Sequence, residues 1–64
     1  MKLKEFKKSN LWKAADIVKL YDNNGEQIEI KSETQRRQIQ NKEIAGHGAE
    51  IEDGIITLEI YLNA

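Results

Sequence analysis

The chain has 64 residues, a third of them charged, with a net charge of −1 and no cysteine. A domain this small has marginal stability, so disulfides, metals or oligomerisation usually support it. The composition excludes a disulfide or thiolate metal site, and a single histidine argues against zinc. We therefore predict one domain over residues 1–64 that needs no cofactor or metal and forms a homo-oligomer.

Residues 2–9 are predicted to form a short Lys-rich helix. Leu3 and Phe6, three residues apart, share its inward face. Leu11 and Trp12 follow in an apolar connection that we expect to close the helix against a sheet. No apolar run approaches the roughly 18 residues of a membrane span, and no apolar segment follows the basic N-terminal residues as in a secretory signal. We therefore expect a cytoplasmic protein without a membrane partner.

The segment 16–30 alternates apolar and polar residues around an Asn-Asn-Gly turn, which is typical of a β-hairpin. A three-residue loop over 23–25 sets Leu20 opposite Ile28 and gathers the apolar residues on one face. This loop needs a residue at positive φ, and Gly25 stands at that position.

A short polar helix is predicted over residues 33–41, because Ser32 and Gln35 have the spacing of a capping box. Ile39 is its only large apolar residue, so we expect it to be poorly anchored. A second hairpin follows over 49–62, with a type I′ turn at Asp53-Gly54. Its predicted pairs are Ile51 with Ile56, Ala49 with Leu58, and His47 with Ile60.

These elements predict an α+β fold: a four-stranded antiparallel sheet of two β-hairpins, with an N-terminal helix and a short polar helix between the hairpins. The N-terminal helix and Trp12 cover one sheet face. The predicted core residues of that face are Val18, Leu20, Ile28, Ile30, Ile51, Ile56, Leu58, Ile60 and Leu62.

The opposite sheet face is too apolar for plain contact with solvent. Exposed contiguous apolar patches usually mark interaction sites, and tyrosine suits interfaces. We predict a protein-binding or homodimeric interface there, unless a helix folds over it. Its residues are Ile17, Tyr21, Ile55, Thr57 and Tyr61.

A basic patch is the second candidate surface. All ten Lys and Arg residues lie within residues 1–42, whereas residues 43–64 carry only acidic charges. Such groups could contact nucleic-acid phosphates, although the sequence pI of 5.8 is far from that of a dedicated binder. The alternative is that these residues form a solvent-exposed helix face with no binding role. The candidate residues are Lys4, Lys7, Lys8, Arg36 and Arg37.

Catalytic motifs are missing from the sequence, and we predict no catalytic residues and no enzymatic activity. His47 has no recognisable nucleophile partner; we interpret it as a half-buried strand residue, with a ligand-contacting or pH-sensing role as the alternative. The acidic cluster at 50–53 does not have the spacing of a calcium-binding EF-hand loop.

The order of a Lys-rich helix, the segment 17–25, a polar helix and the segment 52–60 resembles small uncharacterised proteins of phages and prophages of Gram-positive bacteria. That resemblance implies an accessory protein in the host cytoplasm that acts by binding. We therefore expect a non-enzymatic protein that modulates or inhibits a host protein, such as a nuclease, repair or defence factor, as a homodimer. The alternative is a nucleic-acid-binding module that uses the basic helices.

Overall fold

A computed structural model describes residues 1–63 of the chain. Three helices pack on one side of a mixed three-stranded sheet whose order is β1-β3-β2. Strand β3 is central; it pairs in parallel with β1 and antiparallel with β2. In chain order the elements are α1 (Leu3–Phe6), α2 (Asn10–Ala14), β1 (Ile17–Tyr21), α3 (Glu33–Gln40), β2 (Ile44–Glu52) and β3 (Ile55–Leu62).

The predicted four-stranded antiparallel sheet is wrong, because the residues after the first turn do not form a second strand beside β1. Its loop forms in the predicted register: the Ile28 N–H donates to the Leu20 carbonyl at 2.7 Å, and Gly25 has φ +82°. Beyond this turn the Gln35 side chain engages the backbone instead. Its Oε1 accepts from the Lys31 N–H and its Nε2 donates to the Glu29 carbonyl, both at 2.8 Å. The backbone is thereby held by the first turn of α3, and beyond the single bridge of Tyr21 with Gln27 no ladder with β1 continues.

Strand β1 pairs with β3 instead, and Asp16 begins the pairing. Its N–H donates to the Ile56 carbonyl and its carboxylate accepts from the Ile56 N–H, both at 2.9 Å. The parallel register then sets Val18 beside Leu58 and Leu20 beside Ile60. A parallel pair requires a long connection, which the turn, α3 and β2 supply.

The second hairpin forms with the predicted pairs. Asp53 and Gly54 have φ values of 52° and 78°, the positive values that a type I′ turn requires. A β-bulge lies between Ile44 and Gly46. Residues 1–3 pair with the chain next to that bulge, where the Ile44 N–H donates to the Met1 carbonyl at 2.8 Å.

The helix predicted over residues 2–9 is shorter than expected, since α1 ends at Phe6, and the segment predicted as an apolar connection forms a second helix, α2. Ser9 separates them, and its hydroxyl accepts from the Trp12 N–H at 3.2 Å as the N-cap of α2. Helix α3 begins as predicted, since the Ser32 hydroxyl accepts from the Gln35 N–H at 3.1 Å. The helix is held more firmly than the sequence predicts, because Ile39 is buried in the core and only 4% exposed.

The core lies between the helices and one sheet face, which we call the helix face. Ile30 and Ile51, two predicted core residues, are 38% and 74% exposed. Ile30 is outside the sheet, and Ile51 lies on an edge strand at the helix face where nothing in residues 1–63 covers it. The buried core residues are Leu3, Phe6, Leu20, Ile39, Leu58, Ile60 and Leu62.

Gly25 provides a direct test of the first turn. We expect Gly25→Val to lower the free energy of unfolding by about 1–2 kcal/mol, because a β-branched residue resists positive φ. Gly25→Asn is the matched control, since asparagine tolerates this region and should cost less. Urea denaturation of the three proteins measures the difference; equal losses for the two variants would contradict the turn geometry.

Candidate binding face of the sheet

The sheet face opposite the helices, which we call the open face, contains all five residues predicted to form an interface. Leu20, Leu58 and Ile60 point into the core, so their neighbours along each strand point the other way. The register sets Ile17 beside Thr57 and Tyr21 beside Tyr61. The open-face residues are Ile17, Lys19 and Tyr21 of β1, Ile55, Thr57, Glu59 and Tyr61 of β3, and Gly46, Gly48, Glu50 and Glu52 of β2.

Apolar groups lie at both ends of the open face. At one end the rings of Tyr21 and Tyr61 stack with centroids 5.1 Å apart and planes 21° apart. At the other end Ile17 and Ile55 are 44% and 48% exposed. They line a shallow depression together with Thr57, Glu52 and Asp53. No helix within residues 1–63 covers these side chains, so the alternative of a second small core is wrong.

Two glycines shape the face beside the tyrosines. Gly46 pairs with Tyr61 and Gly48 with Glu59. A Cβ at either glycine would have no atom within 4 Å, so the face has open space along this strand. At these two positions β2 therefore places no side chain beside Tyr61 and Glu59.

The charge of the open face is mainly acidic. Glu50, Glu52 and Glu59 project from it, against Lys19 as its one basic residue. The Tyr61 hydroxyl donates to the Glu59 carboxylate at 3.2 Å. This hydrogen bond, and then the negative charge of Glu59, raise the pKa of the Tyr61 phenol. The bond and the stack hold the Tyr61 ring in place.

The Tyr61–Glu59 contact predicts a pH effect. A raised pKa in the folded state means that this contact stabilises the fold below the ordinary tyrosine pKa of about 10 and that the gain is lost as the pH rises through the Tyr61 pKa. We expect Glu59→Gln to lower the Tyr61 pKa. Phenolate absorbance measured in a Tyr21→Phe background, which leaves one tyrosine, tests this. An unchanged pKa would show that Glu59 does not hold the hydroxyl.

The five residues of the candidate basic patch lie on the other side of the molecule, on or beside α1 and α3, which contact each other. Lys4, Lys8 and Arg37 are exposed. Lys7 is half-buried, with its Nζ 5.6 Å from the centre of the Trp12 ring. Arg36 lies 3.7 Å from the Glu33 carboxylate. The opposite charges of the two chain segments therefore lie largely on opposite sides of the protein.

His47 lies on the helix face and is exposed, not half-buried. Its ring centroid is 5.1 Å from that of Phe6, with the planes tilted by 50°. Within residues 1–63 there is no cluster of three or more His, Cys, Asp or Glu side chains arranged to hold a metal ion.

Comparison with known proteins gave no relative. No family model matches the chain, and neither the curated proteins nor the solved structures contain a significant match. Across residues 1–63, none of the helices has the length and apolar character needed to cross a bilayer.

Proposed function

We propose that this chain is a small non-enzymatic binding protein that modulates or inhibits another protein through its open face. The observation that supports this most strongly is the exposure of Ile17, Ile55 and Tyr61 on one sheet face, at 44%, 48% and 39%. A fold this small can bury only part of its apolar surface, and exposed apolar patches, such as the one that Ile17 and Ile55 form at one end of this face, usually mark interaction sites.

The chemistry of the open face defines the partner. A rigid Tyr21–Tyr61 stack supplies a large contact area at low entropic cost, as at many binding hot spots. The glutamates around it favour a partner whose apolar patch has basic residues at its rim. If the chain is phage-encoded, as its resemblance implies, that partner is a host protein.

Site-specific photo-crosslinking in the source cells tests this proposal. We expect a benzoylphenylalanine probe at Ile55 to form one discrete protein adduct. A probe at Gln38, an exposed position of α3, should not form that adduct. The same adducts from both positions, or none from Ile55, would argue against the open face.

Matched variants make the test specific for the face. Ile17→Glu, placed with the Ile55 probe, should abolish the adduct because it puts a charge into the same apolar patch. Ile30→Glu is the control, since Ile30 has a comparable exposure of 38% but lies outside the sheet. Loss of the adduct in both variants would indicate a general effect on folding.

A nucleic-acid-binding module remains the second candidate. The contact between α1 and α3 supports it, because this contact brings both parts of the basic patch to one side. We expect such binding to weaken steeply with salt and in the variant Arg36→Gln/Arg37→Gln. Fluorescence anisotropy with a labelled duplex and a labelled single strand measures this; no binding at low salt would exclude the module.

A further inference from the structure

The outer edge of β2 has no neighbouring strand over most of its length. Residues 1–3 pair only with its beginning, where Leu3 N–H donates to the Lys42 carbonyl and Ile44 N–H to the Met1 carbonyl. From residue 46 to 52 no other strand of residues 1–63 lies alongside this edge, and every side chain from His47 to Glu52 is exposed. Open edges of this kind are templates for pairing with another chain.

The backbone groups that point outward from this edge can be assigned. Ile56 directs both its N–H and its carbonyl towards Asp16, on the β1 side. The Ile51–Ile56 pair is therefore a non-hydrogen-bonded pair of the β2–β3 ladder. Since the pattern alternates, His47, Ala49 and Ile51 direct their N–H and carbonyl groups away from the sheet.

Most of the devices that prevent edge pairing are missing from this stretch. It has no lysine, arginine or proline, and the bulge lies at the end that residues 1–3 already cover. The glutamates at 50 and 52 are its only charges. They project from the open face, so they influence the register of pairing without blocking the edge.

We propose that a second copy of this chain pairs antiparallel along β2, with the two-fold axis at Ala49. This register spans the open stretch of residues 46–52. It sets Ala49 against Ala49 and His47 against Ile51, so three pairs of residues exchange backbone hydrogen bonds. It joins two three-stranded sheets into one continuous sheet of six strands.

The charges of β2 favour this register over the one centred on Glu50. On the open face it sets Glu50 opposite Gly48 and Glu52 opposite Gly46 of the second copy, so no glutamate directly opposes another. Moving the axis to Glu50 would oppose two like charges directly, which destabilises a sheet. On the helix face the pairing covers Ile51, which is 74% exposed in one chain, with the His47 ring of the second copy.

This inference goes beyond the proposed function, because it concerns a different surface and a second copy of the same chain. Analytical ultracentrifugation of the purified chain tests it without any partner protein. We expect a dimer whose mass falls to that of the monomer in Ala49→Pro. The Ala49 N–H points away from β3, so proline removes no hydrogen bond within one chain. Ala49→Thr retains the N–H and should remain dimeric.

Thiol crosslinking tests the register. It also tests dimerisation through β2 if the Ala49→Pro variant fails to fold. The chain has no cysteine, so a single one can be introduced. With a short bifunctional thiol reagent, Ala49→Cys should give a covalent dimer, because opposed Cα atoms of such a pair are about 5.5 Å apart. Ile51→Cys should not, because the two equivalent positions lie about 14 Å apart along the strands.

Each remaining outcome overturns the proposal. A wild-type chain that is monomeric at all concentrations excludes the dimer. A covalent dimer that forms in Ile51→Cys but not in Ala49→Cys excludes this register. A dimer lost in Tyr61→Ala/Ile55→Glu but retained in folded Ala49→Pro assigns the self-contact to the open face instead.

Discussion

Leu58→Ala is expected to unfold a large fraction of the protein. Leu58 is fully buried at the centre of β3, between Val18 and Ala49 on the neighbouring strands. Truncation of a buried leucine costs about 2–5 kcal/mol. The whole chain, at typical stability per residue, has about 3–10 kcal/mol to lose. Urea denaturation followed by circular dichroism should show a greatly reduced midpoint or no folded baseline.

Ile51→Ala is the matched control for this result. Ile51 and Leu58 belong to the same face of the same hairpin, but Ile51 is 74% exposed. We expect it to cost well under half of what Leu58→Ala costs, since little apolar surface returns to water. The measurement uses dilute protein, so that self-association does not contribute to the free energy of unfolding. Equal losses would show that Ile51 is buried and that the helices cover more of β2 than the structure shows.

The second large effect is expected at Ile39. This residue is the one buried side chain of α3, which otherwise presents polar groups. We expect Ile39→Ala to cost about 2–5 kcal/mol and to release α3 from the sheet, because an eight-residue helix is unstable without packing. Hydrogen exchange should show lost amide protection over residues 36–40 before protection is lost in β3.

Gln38→Ala is the control in the same helix. Gln38 is exposed, and alanine has the higher helix propensity, so α3 should retain or slightly gain protection. Protection of α3 that is unchanged in Ile39→Ala would mean that its caps alone hold the helix. Those caps include the Ser32 hydroxyl bond to Gln35 and the Gln35 amide bonds to the preceding loop.

The candidate binding face was predicted from the alternation of residues, and the structure brings its five residues together. The reason is that a strand presents every second residue to one face whichever partner it pairs with. Ile17 and Tyr21 therefore share a face with Thr57 and Tyr61 despite the wrong sheet topology. What the pattern could not reveal is that Tyr21 stacks on Tyr61, because that contact depends on the parallel register.

The prediction of the core was wrong at positions whose burial depends on whether a helix covers the strand. Ile51 alternates correctly in β2, but the short helices reach over β1 and β3 and leave this edge uncovered. Ile30 also fits the alternation, but the chain there is tied to Gln35 and has left the sheet. Hydropathy indicates which side chains could be buried and does not show how far the covering layer extends.

The amino-acid sequence by itself determined the elements that depend on local chemistry. The Asp53-Gly54 turn, the Gly25 turn and the Ser32 half of the capping box formed as predicted, because positive-φ residues and side-chain caps act within a few residues. Only the tertiary structure decided that β1 pairs in parallel with β3. That pairing depends on contacts between residues some forty positions apart, such as Asp16 with Ile56, and a local sequence pattern does not report such contacts. The pairing must offset the entropy lost in closing a long loop, and burial of apolar side chains on the helix face supplies the free energy to do so.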